Sequence, residues 1–410
     1  MKKTTIIKSI LIFSLSLIIT SCFNPIFSEI RKDVKPETAT VSGNLTSITR
    51  YTAGGQEYLV VAADGGIRYK LASNQEHDSW TVYENLPFEL AHFDYEDSVY
   101  EGEQILKVLA NSDTLYLVCA IYEATGWEGK SNPARFCIWS KQISAANGIW
   151  STSGDWSKVD TSAKNYFPLA QDSSEYYYSN FNVFQTNTPL AKNRHAYLCT
   201  YDVDAGTVEY NELTGLETLK AVKIENLEDD STNSRAYSAA YFDGSILFFN
   251  SVAVVTDETY TDEATTIYYG GVCSSDDDYS ALYYKKAGSE SYTELKYDLD
   301  KKTTFSALAV CKDSIIMGCG NIASGSGKGG VRHALLTDGV PQSITDEFDS
   351  NASTQLSSAY YVMALLNATP EKTEAESALY AALSYSETSG YFDNVGLWSY
   401  YPERGNWNRE

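Results

Sequence analysis

Positive charge is scarce in this chain of 410 residues: 31 Lys and Arg stand against 54 Asp and Glu, a formal net charge of -23. That balance excludes an ordinary nucleic-acid binder, because affinity for a phosphate backbone comes from cationic side chains that displace its counterions. Histidine is scarce too. Its four copies, His77, His92, His195 and His333, are scattered, and none has a second His or a Cys at metal-ligand spacing. No Gly-x-Ser-x-Gly elbow occurs, so a hydrolase of that type has no support. Helical periodicity is almost absent, and no stretch reaches the run of about 18 apolar residues from which a membrane helix is read. What is abundant is apolar surface. At 43% hydrophobic and 13% aromatic, burial offsets the ordering entropy and a disordered chain is excluded.

The start of the chain has a distinct grammar. Lys2 and Lys3 precede an apolar run over 10–19 broken only by serines, and Thr20 and Ser21 precede Cys22. Ile19-Thr20-Ser21-Cys22 resembles the lipobox of bacterial lipoproteins, an aliphatic residue, two small residues and then Cys. The resemblance is confined to this segment. It implies cleavage before Cys22, diacylglycerol on the thiol and usually a third acyl chain on the amine, and several chains hold a protein stably where one does not. Lys8 interrupts the apolar run and leaves it too short to span a bilayer.

The expected organisation is a signal peptide over 1–21, an acylated stalk over 22–43 and a folded body over 44–410. The stalk carries Pro25 and Pro36 among mixed charges. Lipid on Cys22 places the body in the bacterial cell envelope, at the outer membrane rather than the inner. Without Lys2, Lys3 and Lys8 the mature chain has 28 basic residues against 54 acidic, or -26, and anionic headgroups repel it.

From residue 45 onward, period-two apolar runs alternate with turns of Gly, Asp, Asn and Ser, the signature of β-hairpins. Inner pairs are expected at 48–51 with 58–63, 106–110 with 115–122, 166–170 with 176–186, 236–242 with 246–255, 305–310 with 315–322, and 360–366 with 379–385. Each is followed by a second hairpin: 67–71 with 80–84, 136–140 with 149–159, 196–202 with 207–213, 281–285 with 292–299, 331–336 with 342–346, and 396–401 with 406–409. The fold class is all-β, a β-propeller of six four-stranded blades. Seven blades follow if 256–275 hides a further strand pair. Two β-sandwiches would instead need Greek-key crossovers, which nothing demands. Blade six owns its outer strand, so no N-terminal strand is needed to complete it.

Six cysteines follow Cys22. A tight turn at Lys312-Asp313 puts Cys311 and Cys319 too far apart to bridge, whereas Cys119 and Cys137 fall on adjacent strands of one blade. The leading reading is nonetheless six buried thiols acting as small apolar residues. The run Gly325-Ser326-Gly327-Lys328 lacks the Ser or Thr that a phosphate loop needs after its Lys, and a strand follows it. Asp202-Val203-Asp204-Ala205-Gly206 opens like a calcium loop but lacks the later Glu. No metal, cofactor or catalytic residue is expected.

Tyrosine is over-used, with neighbours at Tyr176 to Tyr178, Tyr268-Tyr269, Tyr283-Tyr284, Tyr360-Tyr361 and Tyr400-Tyr401. On a strand, neighbours point to opposite faces, so each ring of a pair can pack against a different blade. In a four-stranded meander the second-to-third and blade-to-blade connections share one end. Here they are the long ones, including 87–103, 123–134, 216–234, 256–278 and 386–394. That end gathers Phe88, Phe93, Tyr95, Trp127, Tyr260, Tyr391 and Phe392, the candidate binding residues.

Three functions from different classes fit: a non-enzymatic binding or scaffold module for an envelope protein or glycan, which is the leading reading; a glycan-active enzyme using paired carboxylates; and an outer-membrane assembly scaffold. The last would be similar to the propeller lipoprotein of the β-barrel assembly machine, whose regular Gly- and Trp-bearing repeat is not seen here. A monomer is expected.

Overall fold

The computed structural model describes residues 41–43, 45, 47–63, 66–76, 79–94, 99–111, 114–126, 135–142, 156–159, 182–185, 196–202, 207–213, 219–222, 239–242, 245–248, 251–256, 264–273, 279–286, 293–297, 304–320, 329–345, 356, 360–369, 371–385 and 395–410. Blade one is Ser47–Ala53, Gln56–Ala63, Gly66–Leu71 and Thr81–Tyr83. Blade two is Val99–Asn111, Thr114–Gly126, Arg135–Gln142 and Ser157–Lys158, with His92–Asp94 added beside its first strand. Blade three is Asn182–Gln185, Ala196–Asp202, Thr207–Leu213 and Leu219–Val222, and blade four is Ser251–Thr256, Ala264–Cys273, Tyr279–Lys286 and Thr293–Tyr297. Blade five is Thr304–Val310, Ser314–Gly320, Val331–Thr337 and Val340–Pro341, and blade six is Tyr360–Asn367, Leu379–Tyr385, Gly396–Tyr401 and Asn406–Arg409.

Every sheet is an antiparallel meander in chain order. The first strand of blade one packs on that of blade two, two on three, four on five, five on six, and six on one. The chain is therefore a β-propeller, with six blades among the described residues. A separate two-stranded hairpin, Ala239–Phe242 with Ser245–Phe248, packs through its first strand on blade four.

Alternation along the strands builds the layers between blades. In Gln56–Ala63, Val60 and Ala62 join a core with Val108, Leu115 and Leu117 of blade two. Leu59, Val61 and Ala63 turn the other way, into a core with Tyr380, Ala382 and Leu397 of blade six. Both faces are buried, so the strand reads as a near-continuous apolar run. Blade six repeats the scheme: Leu379, Ala381 and Leu383 face blade five while Tyr380 and Ala382 face blade one. The neighbours Tyr400 and Tyr401 divide in the same way, Tyr400 toward blade five and Tyr401 toward blade one.

Blade six does own its fourth strand. Among the described residues before blade one, Val41 joins it: its N–H donates to the main-chain oxygen of Glu410 (3.0 Å) and its carbonyl accepts from Leu397 N–H (3.0 Å). Closure is completed by side chains. The Glu410 carboxylate is buried where it pairs with the Lys70 ammonium of blade one, and it accepts from Trp80 Nε1 at 2.6 Å. Lys70 Nζ lies 4.9 Å from the Trp80 ring centroid and 5.1 Å from that of Tyr380.

Two expected blades are redrawn. In blade three the 196–202 and 207–213 hairpin is the middle pair, not the outer one. Leu219–Val222 is its fourth strand, a four-residue element too short to show a period. Residues 166–170 lie outside the described residues. In blade four the apolar run 246–255 is two strands, Ser245–Phe248 and Ser251–Thr256, which belong to different sheets. Ser251–Thr256 pairs with Ala264–Cys273, so a further strand pair follows the Ala239–Phe242 and Ser245–Phe248 hairpin, and the described residues form seven sheets in all.

Cys119, Cys137, Cys311 and Cys319 are buried free thiols. Cys311 sits beside Asn367 of blade six, whose Nδ2 is 3.3 Å from its sulfur, and burial pushes its thiol up from 9.0 to about 12. The folded state thus holds this proton more tightly than the unfolded chain. The associated stability is complete below pH 9 and is lost as pH rises toward 12, at roughly 1.4 kcal/mol per pH unit. Urea unfolding of the wild type and Cys311→Ala between pH 8 and 11 is expected to show the wild type's advantage shrinking by about 2–3 kcal/mol.

Candidate functional site

Val99–Asn111 and Thr114–Gly126 are 13 residues each, against 7 and 8 for the inner pair of blade one. At roughly 3.3 Å per residue the surplus carries this hairpin about 15–20 Å further. Asn111 pairs with Thr114 at one end of the hairpin, and near that end Ser47 Oγ at the start of blade one accepts from Val108 N–H at 2.8 Å. The surplus therefore projects from the opposite end, where the long connections lie.

The chain entering blade two reinforces this projection. The 87–103 connection, expected to be a loop, is partly sheet: His92–Asp94 pairs with Val99–Glu101, and Leu90 bridges Glu103. Ala91 N–H donates to the Glu103 carbonyl and Glu103 N–H to the Glu89 carbonyl, both at 2.9 Å. Gly102 permits the crossing. Its φ is +107°, and a Cβ there would lie 2.8 Å from Ala91 Cα, inside any tolerable contact.

That register aims Glu103 into the layer facing blade one. Cys119 and Cys137 stand directly opposite each other on the next two strands, and both belong to the core shared with blade one. One Glu103 carboxylate oxygen accepts from Trp139 Nε1–H at 2.8 Å and from the Cys137 thiol at 3.2 Å. The other lies 3.6 Å from Lys158 Nζ. The Lys158 ammonium also covers the Trp139 ring at 4.5 Å, and the Phe88 ring packs on its neighbour Trp139 at 5.7 Å. Burial, and then the neighbouring Cys137 and Glu103, hold the Cys119 thiol well above its ordinary pKa. Two soft sulfur donors and one carboxylate oxygen lie within 4.8 Å of one another.

Of the candidate binding aromatics, Phe88 is half-buried against the core and belongs to this cluster rather than to an open surface. Phe93 lies on His92–Asp94, opposite Tyr100. Cys22, Tyr95, Trp127, Tyr260, Tyr391 and Phe392 lie outside the described residues. The strands flanking Tyr260, Ser251–Thr256 and Ala264–Cys273, are the first and second of their blade. Those two strands follow one another as first and second, a junction at the end of the tight turns, whereas Thr114–Gly126 with Arg135–Gln142 and Leu379–Tyr385 with Gly396–Tyr401 are second and third strands, which join at the other end. No spacing rule flags Glu103 with the two cysteines, because they are 16 and 18 residues apart and only the register joins them.

No protein-family model and no curated protein matches the chain. Among solved structures it is similar to AofleA from Arthrobotrys oligospora, at 9% identity and TM-score 0.41 over 91% of this chain and 87% of that one. It is similar to the Trypanosoma rangeli sialidase in complex with the inhibitor DANA, at 10% identity and TM-score 0.38 over 89% and 57%. A third likeness is to the extracellular domain of a hybrid two component system from B. thetaiotaomicron, at 10% identity and TM-score 0.34. There it covers 84% of this chain but spans only 38% of the other.

Proposed function

We propose that the protein is a lipid-anchored envelope lipoprotein whose propeller offers its long-loop end to a protein or glycan, as a binding or scaffold module without chemistry of its own. The observation that carries this reading is the projecting hairpin of blade two, braced by His92–Asp94. It is hydrogen-bonded on both sides within a five-stranded sheet, and a scaffold so paired limits the ordering cost of binding. The lipobox ending at Cys22 supports the tether. The excess of acid supports a basic or cation-bridged partner.

Two variants test it. Cys22→Ala is expected to move the protein from the membrane fraction to the soluble one and to abolish palmitate labelling; unchanged membrane association defeats the tether. Trp127→Ala combined with Tyr391→Ala is expected to weaken capture of the partner from envelope extracts at least tenfold. Full retention, with thermal stability also unchanged, defeats the assignment of the face.

A further inference from the structure

We propose that Glu103, Cys119 and Cys137 form a binding site for a thiophilic divalent cation of the zinc class, set in the layer between blades one and two. The donor types select the ion. Two sulfurs and one carboxylate suit zinc or cobalt, whereas magnesium and calcium require oxygen sets. The spacing suits it as well. Bonds of roughly 2.3 Å to sulfur and about 2.1 Å to oxygen in a tetrahedron put neighbouring donors about 3.5–3.8 Å apart. Here the Cys137 sulfur lies 3.2 Å from the carboxylate oxygen, and all three donors fall within 4.8 Å of one another. Small side-chain rotations bring the set to bonding distance.

The surroundings are those of a built site. Trp139 Nε1–H fixes the carboxylate that would face the ion, the orienting role that ligand carboxylates are usually given by a neighbouring donor. Charge also balances. Two thiolates and a carboxylate carry three negative charges against two on the cation, and the Lys158 ammonium beside Glu103 supplies the remaining positive one. Access comes from the Glu103 side: its side chain is 12% exposed and that of Lys158 is 48% exposed, while Cys119 is fully enclosed. A water on that side completes four-coordination. Binding replaces both thiol protons, which leave as H+, so affinity rises with pH.

The test uses the full chain in detergent, fully reduced and then freed of reductant, titrated with cobalt(II). One equivalent is expected to bind with a thiolate-to-cobalt charge-transfer band that zinc abolishes. Cys119→Ser and Cys137→Ser are each expected to lose the band. Glu103→Gln and Trp139→Phe are expected to keep it while weakening affinity about 10- to 100-fold, with folding checked by circular dichroism. A folded, reduced chain without the band overturns the proposal, as does a band that survives in Cys119→Ser. So does a chain isolated two hydrogens lighter with both thiols unreactive until reduced, since the pair is then a disulfide.

Discussion

Lys70→Met is expected to lower the unfolding free energy by about 3–5 kcal/mol, because it leaves the Glu410 carboxylate buried without its cation. Both side chains of this pair are fully enclosed, and one Glu410 oxygen already lacks a hydrogen-bond partner. Desolvation pulls the Lys70 pKa down while Glu410 pulls it back up, so the ammonium keeps its charge largely on account of its partner. Glu410→Gln is expected to cost a similar amount, since the amide pairs poorly with an ammonium in a dry site. The double variant Lys70→Met with Glu410→Leu is expected to recover most of the loss. It keeps a residue of about 1–2 kcal/mol from Trp80 Nε1, which then has no acceptor. Urea denaturation of the four proteins forms a double-mutant cycle, and strict additivity of the two single losses would show that the latch does not act as a pair. Because this pair spans blades six and one, its loss is also expected to speed proteolysis at both ends of the folded body.

Gly102→Ala is expected to destabilise the protein by about 3 kcal/mol, combining strain at a positive φ with a backbone collision that no rotamer relieves. Gly55, also at positive φ but with open space around it, is the control: Gly55→Ala is expected to cost only about 1 kcal/mol. The larger loss at Gly102 has a functional consequence. To relieve the collision, 89–91 must lift off Glu103, which releases His92–Asp94 from the projecting hairpin. Hydrogen exchange is expected to show lost protection at Ala91 and Glu103 in Gly102→Ala with blade six unchanged; equal protection in both proteins would contradict the bracing role.

The parts of this architecture that were legible in the sequence share one physical cause. Strands buried on two faces declare themselves by period and by continuous apolar content, and so blades one and six, and the first three strands of blade five, are legible in the sequence, whereas the fourth strand of blade five is Val340–Pro341 and not 342–346. The division of Tyr400 and Tyr401 between two layers follows from the same alternation. Failures came where that signal is weak. Leu219–Val222 is too short to display a period, and 246–255 is apolar but for Asn250 and Ser251, a polar pair too brief to announce that two different sheets share the run. A connection rich in acid, such as 87–103, reads as loop because nothing in it announces that Gly102 lets a neighbouring segment cross at backbone distance. The Glu103, Cys119 and Cys137 set lay beyond reach for another reason: strand register is a tertiary property, and a slip of one residue would turn Cys137 to the opposite face.

The claim that the long-loop end is the binding face has one direct measurement. A photo-crosslinking amino acid is placed in intact cells at Glu89, whose side chain is 81% exposed beside the projecting hairpin. A second strain carries it at Asp338, in the tight turn of blade five at the other end. The account expects a discrete crosslinked partner from position 89 and none from position 338, with both strains showing the same membrane fractionation. Crosslinks from position 338 alone, or from neither position while the protein remains membrane-bound, would contradict it.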